Sequence, residues 1–219
     1  MRPTTDDFTS AEWRAIQRCR TPYQVQRFLN WLPYNAEKRG ETLRSFRGVI
    51  RTWTAHCLEG ALSAAVMLEQ HGYPPMFLDM ESKDKLDHVV FLFKQGGLWG
   101  TVARSRDPGL HGRRPVFRTV RAIVDSYFDP FIDHTGRITA FGVGTLEELG
   151  DYDWRLGDGN LWRVEKYFNE IPHKRFVSSD ARYECWHQRY EAFKKRHPNW
   201  RPTYFTDRRK WFAGYPKGR

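Results

Sequence analysis

The sequence predicts an α+β fold: a helical first third that ends in a central cysteine-bearing helix, an antiparallel sheet packed against that helix, and a helical C-terminal extension. Three observations predict it. Residues 52–72, TWTAHCLEGALSAAVMLEQHG, carry apolar or small side chains almost all round a helical barrel, as a helix buried on most faces does. After Pro74-Pro75 the apolar period changes from about 3.6 to 2. Two apolar runs then flank Gly96-Gly97, a hairpin turn signal.

Taken in order, Ser10 opens an amphipathic helix over SAEWRAIQRCR, and Thr21-Pro22 resets the chain. Thr21 caps a second helix, PYQVQRFLNWL, with proline at its first position and Val25, Phe28, Leu29 and Leu32 on one stripe. Leu43, Phe46, Val49 and Ile50 repeat that spacing and predict a third helix over residues 42–50. In the central helix Thr54 is the expected N-cap, which places Cys57 at the third helical position, and Gly72 is the expected stop.

Met76, Leu78 and Met80 alternate with Phe77, Asp79 and Glu81, the pattern of a strand with one wetter face. Residues 88–93 are apolar on both faces and predict a central strand covered on both sides. Residues 98–103 form the returning strand of the hairpin. Residues 104–115 read as a Gly, Pro and Arg loop, 118–128 as a helix, and 139–146 as a weak strand broken by two glycines. Two more helices are expected over 161–171 and 180–197, the second capped by Ser179 or Asp180. The expected organisation is a core over residues 1–150, a helical extension over 151–193 and a basic aromatic tail over 194–219.

Composition excludes several classes. With 219 residues, 40% hydrophobic and 28% charged, the chain suits a globular protein and not a disordered one. No run of about 18 apolar residues occurs, so no membrane span is expected. MRPTTDDFTS lacks the basic start and apolar middle of an export signal, and a cytosolic setting is the default expectation. Cys19, Cys57 and Cys185 are odd in number and widely spaced, which argues for free thiols. The eight histidines form no paired-ligand spacing, and no metal or cofactor is expected.

A cysteine at a helix start sits among unpaired N–H groups at the positive end of the dipole, which favours thiolate. Cys57 is therefore the candidate nucleophile, and buried packing is the other reading of the same residue. A reactive thiol needs a base, and His88, which opens the central strand, is the candidate. His56 and Glu59 flank the cysteine, but a glutamate in a first turn is favoured by the dipole alone. Trp53 is a candidate wall.

The order of a cysteine at a helix start, then HGYPPMFLDM, DHVVFLF and GGLWGTVA, resembles the core of the transglutaminase-like cysteine enzymes, a superfamily with a papain-like core. The resemblance covers about residues 21–103. It implies a central helix against an antiparallel sheet, Cys57 as nucleophile and His88 as base. It also implies an acidic residue after a strand tryptophan, as in W-x-x-V-D, where WGTVA here has Ala103. Alanine cannot orient an imidazole. Hairpin register puts Ala103, Ser105 and Asp107 on the His88 face, so Ser105 is the expected orienting residue, its hydroxyl accepting the ring N–H, with Asp107 second. A carboxylate restored at position 103 is then expected to raise activity.

These readings point to a transglutaminase-like cysteine hydrolase or acyltransferase acting on a peptide or a small amide or ester through a thioester. The alternative is a catalytically weak or inactive binding protein on the same scaffold. The net charge of +10 concentrates in residues 194–219, which carry nine Lys or Arg and one acid among interleaved aromatics. Such a tail suits nucleic acid or another anionic partner. A docked extension with solvated charges explains the same residues.

Overall fold

The computed structural model describes residues 2–38, 40–203 and 207–212. A six-stranded, wholly antiparallel sheet runs through the middle of the molecule, with helices on both faces, so the α+β expectation holds. The strands are β1 (Met76–Ser82), β2 (His88–Gln95), β3 (Leu98–Val102), β4 (Arg113–Phe117), β5 (Ile138–Thr145) and β6 (Lys174–Arg175), in the order β4-β3-β2-β1-β5-β6. The helices are α1 (Ser10–Arg18), α2 (Pro22–Trp31), α3 (Phe46–Thr52), α4 (Cys57–Glu69), α5 (Val120–Phe131), α6 (Trp162–Glu170) and α7 (Asp180–Arg196).

Strand alternation divides the core in two. Phe77, Val89, Phe91 and Phe93 face α4, which α1, α2, α3 and α6 surround. Leu78, Met80, Val90 and Leu92 face Ile123, Val124, Tyr127 and Phe128 of α5 and Trp186 of α7. The helix starts obey local chemistry. Thr9, not Ser10, caps α1: its hydroxyl accepts from Glu12 N, while Glu12 Oε2 accepts from Thr9 N at 2.7 Å. Thr21 caps α2 as expected. Ser45 caps α3, which therefore starts later than the apolar spacing suggests and runs to Thr52.

The hairpin also follows its sequence. Gly96 and Gly97 both take positive φ, at 57° and 78°, and Gln95 pairs with Leu98 across a two-residue turn. The strand expected to be weak is not. β5 is continuous and pairs with β1 from Met76↔Thr145 to Ser82↔Ile138, with one register shift at its end. Its glycines serve close packing: a Cβ at Gly142 would lie 2.8 Å from Ile171 Cδ1, and one at Gly144 would lie 2.6 Å from the Tyr167 hydroxyl. The loop expected over 104–115 instead contains the start of β4, an edge strand on which Pro115 is tolerated.

Residues beyond 150 are part of the body. Trp154, Leu161, Val164 and Phe168 lie in one core and Phe176 and Trp186 in the other, while β6 extends the sheet. The boundary expected at 150/151 marks no edge of the core. The tail expected to start at 194 begins inside α7. Its Trp211 and Phe212 are buried, Trp211 bridging to Arg113 and Phe212 stacking on Phe93. Tyr204, Phe205 and Tyr215 lie outside the described residues. Among the described residues, no helix is long and apolar enough to cross a membrane.

Candidate active site

Every residue of α4 after Cys57 is buried, and Cys57 alone is partly exposed. It is the first residue of the helix, not the third. His56 takes the N-cap position, and the Thr54 hydroxyl instead accepts from Arg44 Nη1 at 3.1 Å. The reason is tertiary. Ala55 is bound to the segment beside it, with Asn35 N donating to Ala55 O at 3.1 Å and Ala55 N to Pro33 O at 3.3 Å, so the chain stays extended until His56.

Two histidines meet the thiol. His56, Cys57 and His88 line the same cleft, and both rings favour the thiolate. His56 Nε2 donates to Thr42 O at 2.9 Å and His88 Nε2 donates to Leu110 O at 2.8 Å, which leaves Nδ1 of each ring for the sulfur. Burial pushes the Cys57 thiol up, but hydrogen bonds from His56 and His88, and the charges of both rings, bring it down to about 5. Burial pulls His56 down, and the Cys57 thiolate, by hydrogen bond and charge, then Glu59, raise it to about 9. The other thiols differ. Cys19 is buried and burial pushes it up to about 11, while Cys185 is exposed on α7.

The orienting partner of His88 is not the one expected from register. β3 ends at Val102, paired with Phe91, so His88 has no partner on that strand. The Ser105 hydroxyl turns back to accept from Asp107 N at 3.1 Å, although Ser105 does line the cleft. Asp107 pairs with Arg106 at 3.1 Å and Arg201 at 3.2 Å. The Leu110 carbonyl takes the ring N–H. It sits on the 3-10 turn Pro108–Leu110, held by fully buried Arg113, whose Nη2 donates to Gly109 O and Nη1 to His111 O, each at 2.7 Å. A main-chain acceptor has no side-chain signature, so sequence reasoning could not find it.

Ala103 is fully buried, and both its backbone groups are bound by Gln26, Oε1 accepting from Ala103 N at 3.0 Å and Nε2 donating to Ala103 O at 2.8 Å. A carboxylate there would be desolvated within an apolar cluster. The expectation that Ala103→Asp raises activity is accordingly replaced. The substitution should destabilise the fold by about 2–4 kcal/mol, read as a lowered urea midpoint; an unchanged midpoint with higher activity would restore the original expectation.

Glu59 holds the assembly together. It is fully buried and accepts from His56 N at 3.1 Å, Asn35 Nδ2 at 3.1 Å, Thr42 Oγ1 at 3.1 Å, and Arg44 N, Nε and Nη2 at 3.0, 2.7 and 2.9 Å. Burial raises its pKa, but the Arg44 hydrogen bonds and the His56 charge hold it below the usual carboxylate range. One carboxylate thus ties the helix start to the segment that supplies Thr42 O to His56.

Cys57 lies where two clefts meet. One, of about 490 Å³, is lined by Tyr34, Ser105, Asp107 and Leu110; the other, of about 940 Å³, by Leu43, Asp79, Glu81 and Trp162. His56, Cys57, Leu86 and Asp87 border both. Trp53 borders neither, being half-exposed at the end of α3 and packed edge-on against Phe28. Tyr34, unmarked in the sequence, does: burial and the Cys57 charge push its phenol up, so it stays protonated. Among the described residues, no three His, Cys, Asp or Glu side chains are placed to hold a metal. No protein-family model and no curated protein matches the chain.

Proposed function

We propose that the protein is a cysteine hydrolase or acyltransferase acting on amides or esters, with Cys57 as nucleophile and His88 as acid and base. The observation that carries this reading is the placement of Cys57, partly exposed at the start of a buried helix, where two clefts meet and with His56 and His88 lining the same cleft, a setting that favours its thiolate. The Cys57 thiolate attacks the carbonyl carbon, forming the C–S bond. The resulting oxyanion is met by first-turn N–H groups of α4, which have no intrahelical acceptor, and the protonated Tyr34 phenol is a second donor in the same cleft. As the C–N or C–O bond breaks, His88, in the form that has received the proton released by the Cys57 thiol, gives that proton to the leaving group, and a thioester remains. Water or an amine then attacks the thioester, His88 takes its proton, and the thiolate departs.

In this scheme His56 is an ion-pair partner of the thiolate, while His88, anchored by Leu110 O, lines the substrate cleft with Ser105. Ser105 is a wall of that cleft and not the orienting group. The arrangement resembles that of transglutaminase-like cysteine enzymes, with a main-chain carbonyl where those use a carboxylate. The binding-protein alternative draws on Ala103 in place of a carboxylate and on the basic tail; Trp211 and Phe212 of that tail pack on the body, which favours a docked extension.

The test uses p-nitrophenyl acetate. Rapid mixing is expected to give a burst of one p-nitrophenolate per chain and one acetyl group on Cys57 by peptide mass spectrometry, both absent in Cys57→Ala. Acetylation spread evenly over Cys57 and Cys185 would reject the assignment.

A further inference from the structure

We propose, resting on the catalytic reading above, that the larger cleft is a subsite for a cationic side chain of the substrate, an ammonium or guanidinium seated against Asp79 Oδ1. Asp79 lies on β1, its side chain is 3% exposed, and it lines this cleft. Its Oδ2 accepts from His173 Nε2 at 3.0 Å, but Oδ1 is buried without a hydrogen-bond partner. Leaving a carboxylate oxygen buried and unmet costs free energy unless a donor arrives, and Asp79 borders the cleft from which a donor can reach it.

The surroundings select a cation over a neutral donor. Glu81, two residues along the same strand, projects to the same face. Asp87 and Glu165 border the same space. Among the described residues, the ion pairs of Asp79 and Glu81 are with His173 alone, and Asp87 has none. Lys83 and Lys85, at the border, make no ion pair with these carboxylates among the described residues. The carboxylates repel one another: burial first, then the charges of Asp87 and Glu81, push Asp79 up to about 6 despite His173. A cleft with six carboxylates and two lysines in a chain of net charge +10 has a local sign opposite to the whole, and low-dielectric walls focus such a field. Because this cleft also borders Cys57, the bound cation belongs to the molecule whose carbonyl meets the thiolate.

The test is independent of catalysis. N-acetylarginine amide and its uncharged counterpart N-acetylnorleucine amide are titrated into the Cys57→Ala chain, reading the Trp162 indole and the Asp87 backbone amide by NMR. The arginine compound is expected to shift both signals saturably, at least about tenfold more tightly than the norleucine compound, as one charge-assisted contact provides. Asp79→Asn, which keeps the size of the side chain, should remove that preference. If Asp79→Asn does not fold, the double variant Glu81→Gln, Glu165→Gln should reduce it about threefold. Equal affinities for the two compounds, no shifts, or a preference that persists in the variants that fold would overturn the subsite. Failure of Cys57 acetylation with intact arginine binding would instead overturn the catalytic reading.

Discussion

His88→Ala is expected to lower acyl transfer from Cys57 by roughly 10²–10⁴-fold, the usual worth of a positioned acid and base, while Cys57→Ala removes it. The companion measurement is alkylation. With a pKa of about 5, Cys57 is mostly thiolate at pH 6, where an ordinary thiol is about 0.3% ionised. A low-pKa thiolate is intrinsically less nucleophilic, which returns a factor of roughly 40. The net expectation is that iodoacetamide modifies Cys57 roughly tenfold faster than exposed Cys185 at pH 6, with an inflection near pH 5, and that buried Cys19 lags both. Losing either histidine should move that inflection upward. An inflection that stays put in both His56→Gln and His88→Ala would show that neither ring sustains the thiolate.

The same pair gives stability a defined pH profile. Cys57 is lowered to about 5 and His56 raised to about 9, so between those values the folded pair holds one proton, on the imidazole. The unfolded pair holds two protons below about pH 6.5, one between about 6.5 and 8.5, and none above. Stability contributed by the pair therefore rises with pH up to about 6.5, is flat to about 8.5, and falls beyond it as His56 approaches its folded pKa. The difference between the native chain and Cys57→Ser in urea melts should trace that plateau. A difference independent of pH from 5 to 10 would mean that the ion pair does not form.

Glu59→Ala is expected to cost about 3–5 kcal/mol, the range for removing one member of a buried, hydrogen-bonded ion pair. The loss has two parts. Arg44, whose side chain is 15% exposed, keeps its charge but loses its carboxylate. The N–H of His56 and the polar groups of Asn35 and Thr42 lose an acceptor in the same step. Because Thr42 O anchors His56, Cys57 should also become less reactive in the folded fraction. Urea denaturation and alkylation of the same samples report both effects. A midpoint equivalent to less than about 1 kcal/mol of destabilisation would show that the network is solvated.

The sequence by itself determined those features that are written in local periodicity and turn chemistry. The all-round apolar pattern of residues 58–68 required a buried helix, and α4 is one. Gly96-Gly97 set the hairpin register because only residues tolerant of positive φ close a two-residue turn. The two-sided apolar run of β2 put it in the middle of the sheet, whereas β1, whose alternation suggested one wetter face, lies beside it with Asp79 buried among apolar neighbours. Cys57 and His88 were legible as candidates because residue type and element position mark a thiol at a helix start and a histidine at a strand start, and both border the smaller cleft.

Only the tertiary structure decided the rest, because long-range partners leave no local trace. Thr54 has the better capping side chain, yet the pairing of Ala55 with residues 33–35 delays the helix by two residues and brings His56 against the thiol. β5 reads only as a weak strand in the sequence because glycines carry no side chains to mark a face, while the side chains that fill their space belong to Tyr167 and Ile171. Glu59 could be placed at a helix start from sequence, but the Arg44, Asn35 and Thr42 that make it a hub reach it only through folding. The partner of His88 is furthest from sequence. Every residue carries a carbonyl, and what singles out Leu110 is the buried Arg113 that holds its turn in place.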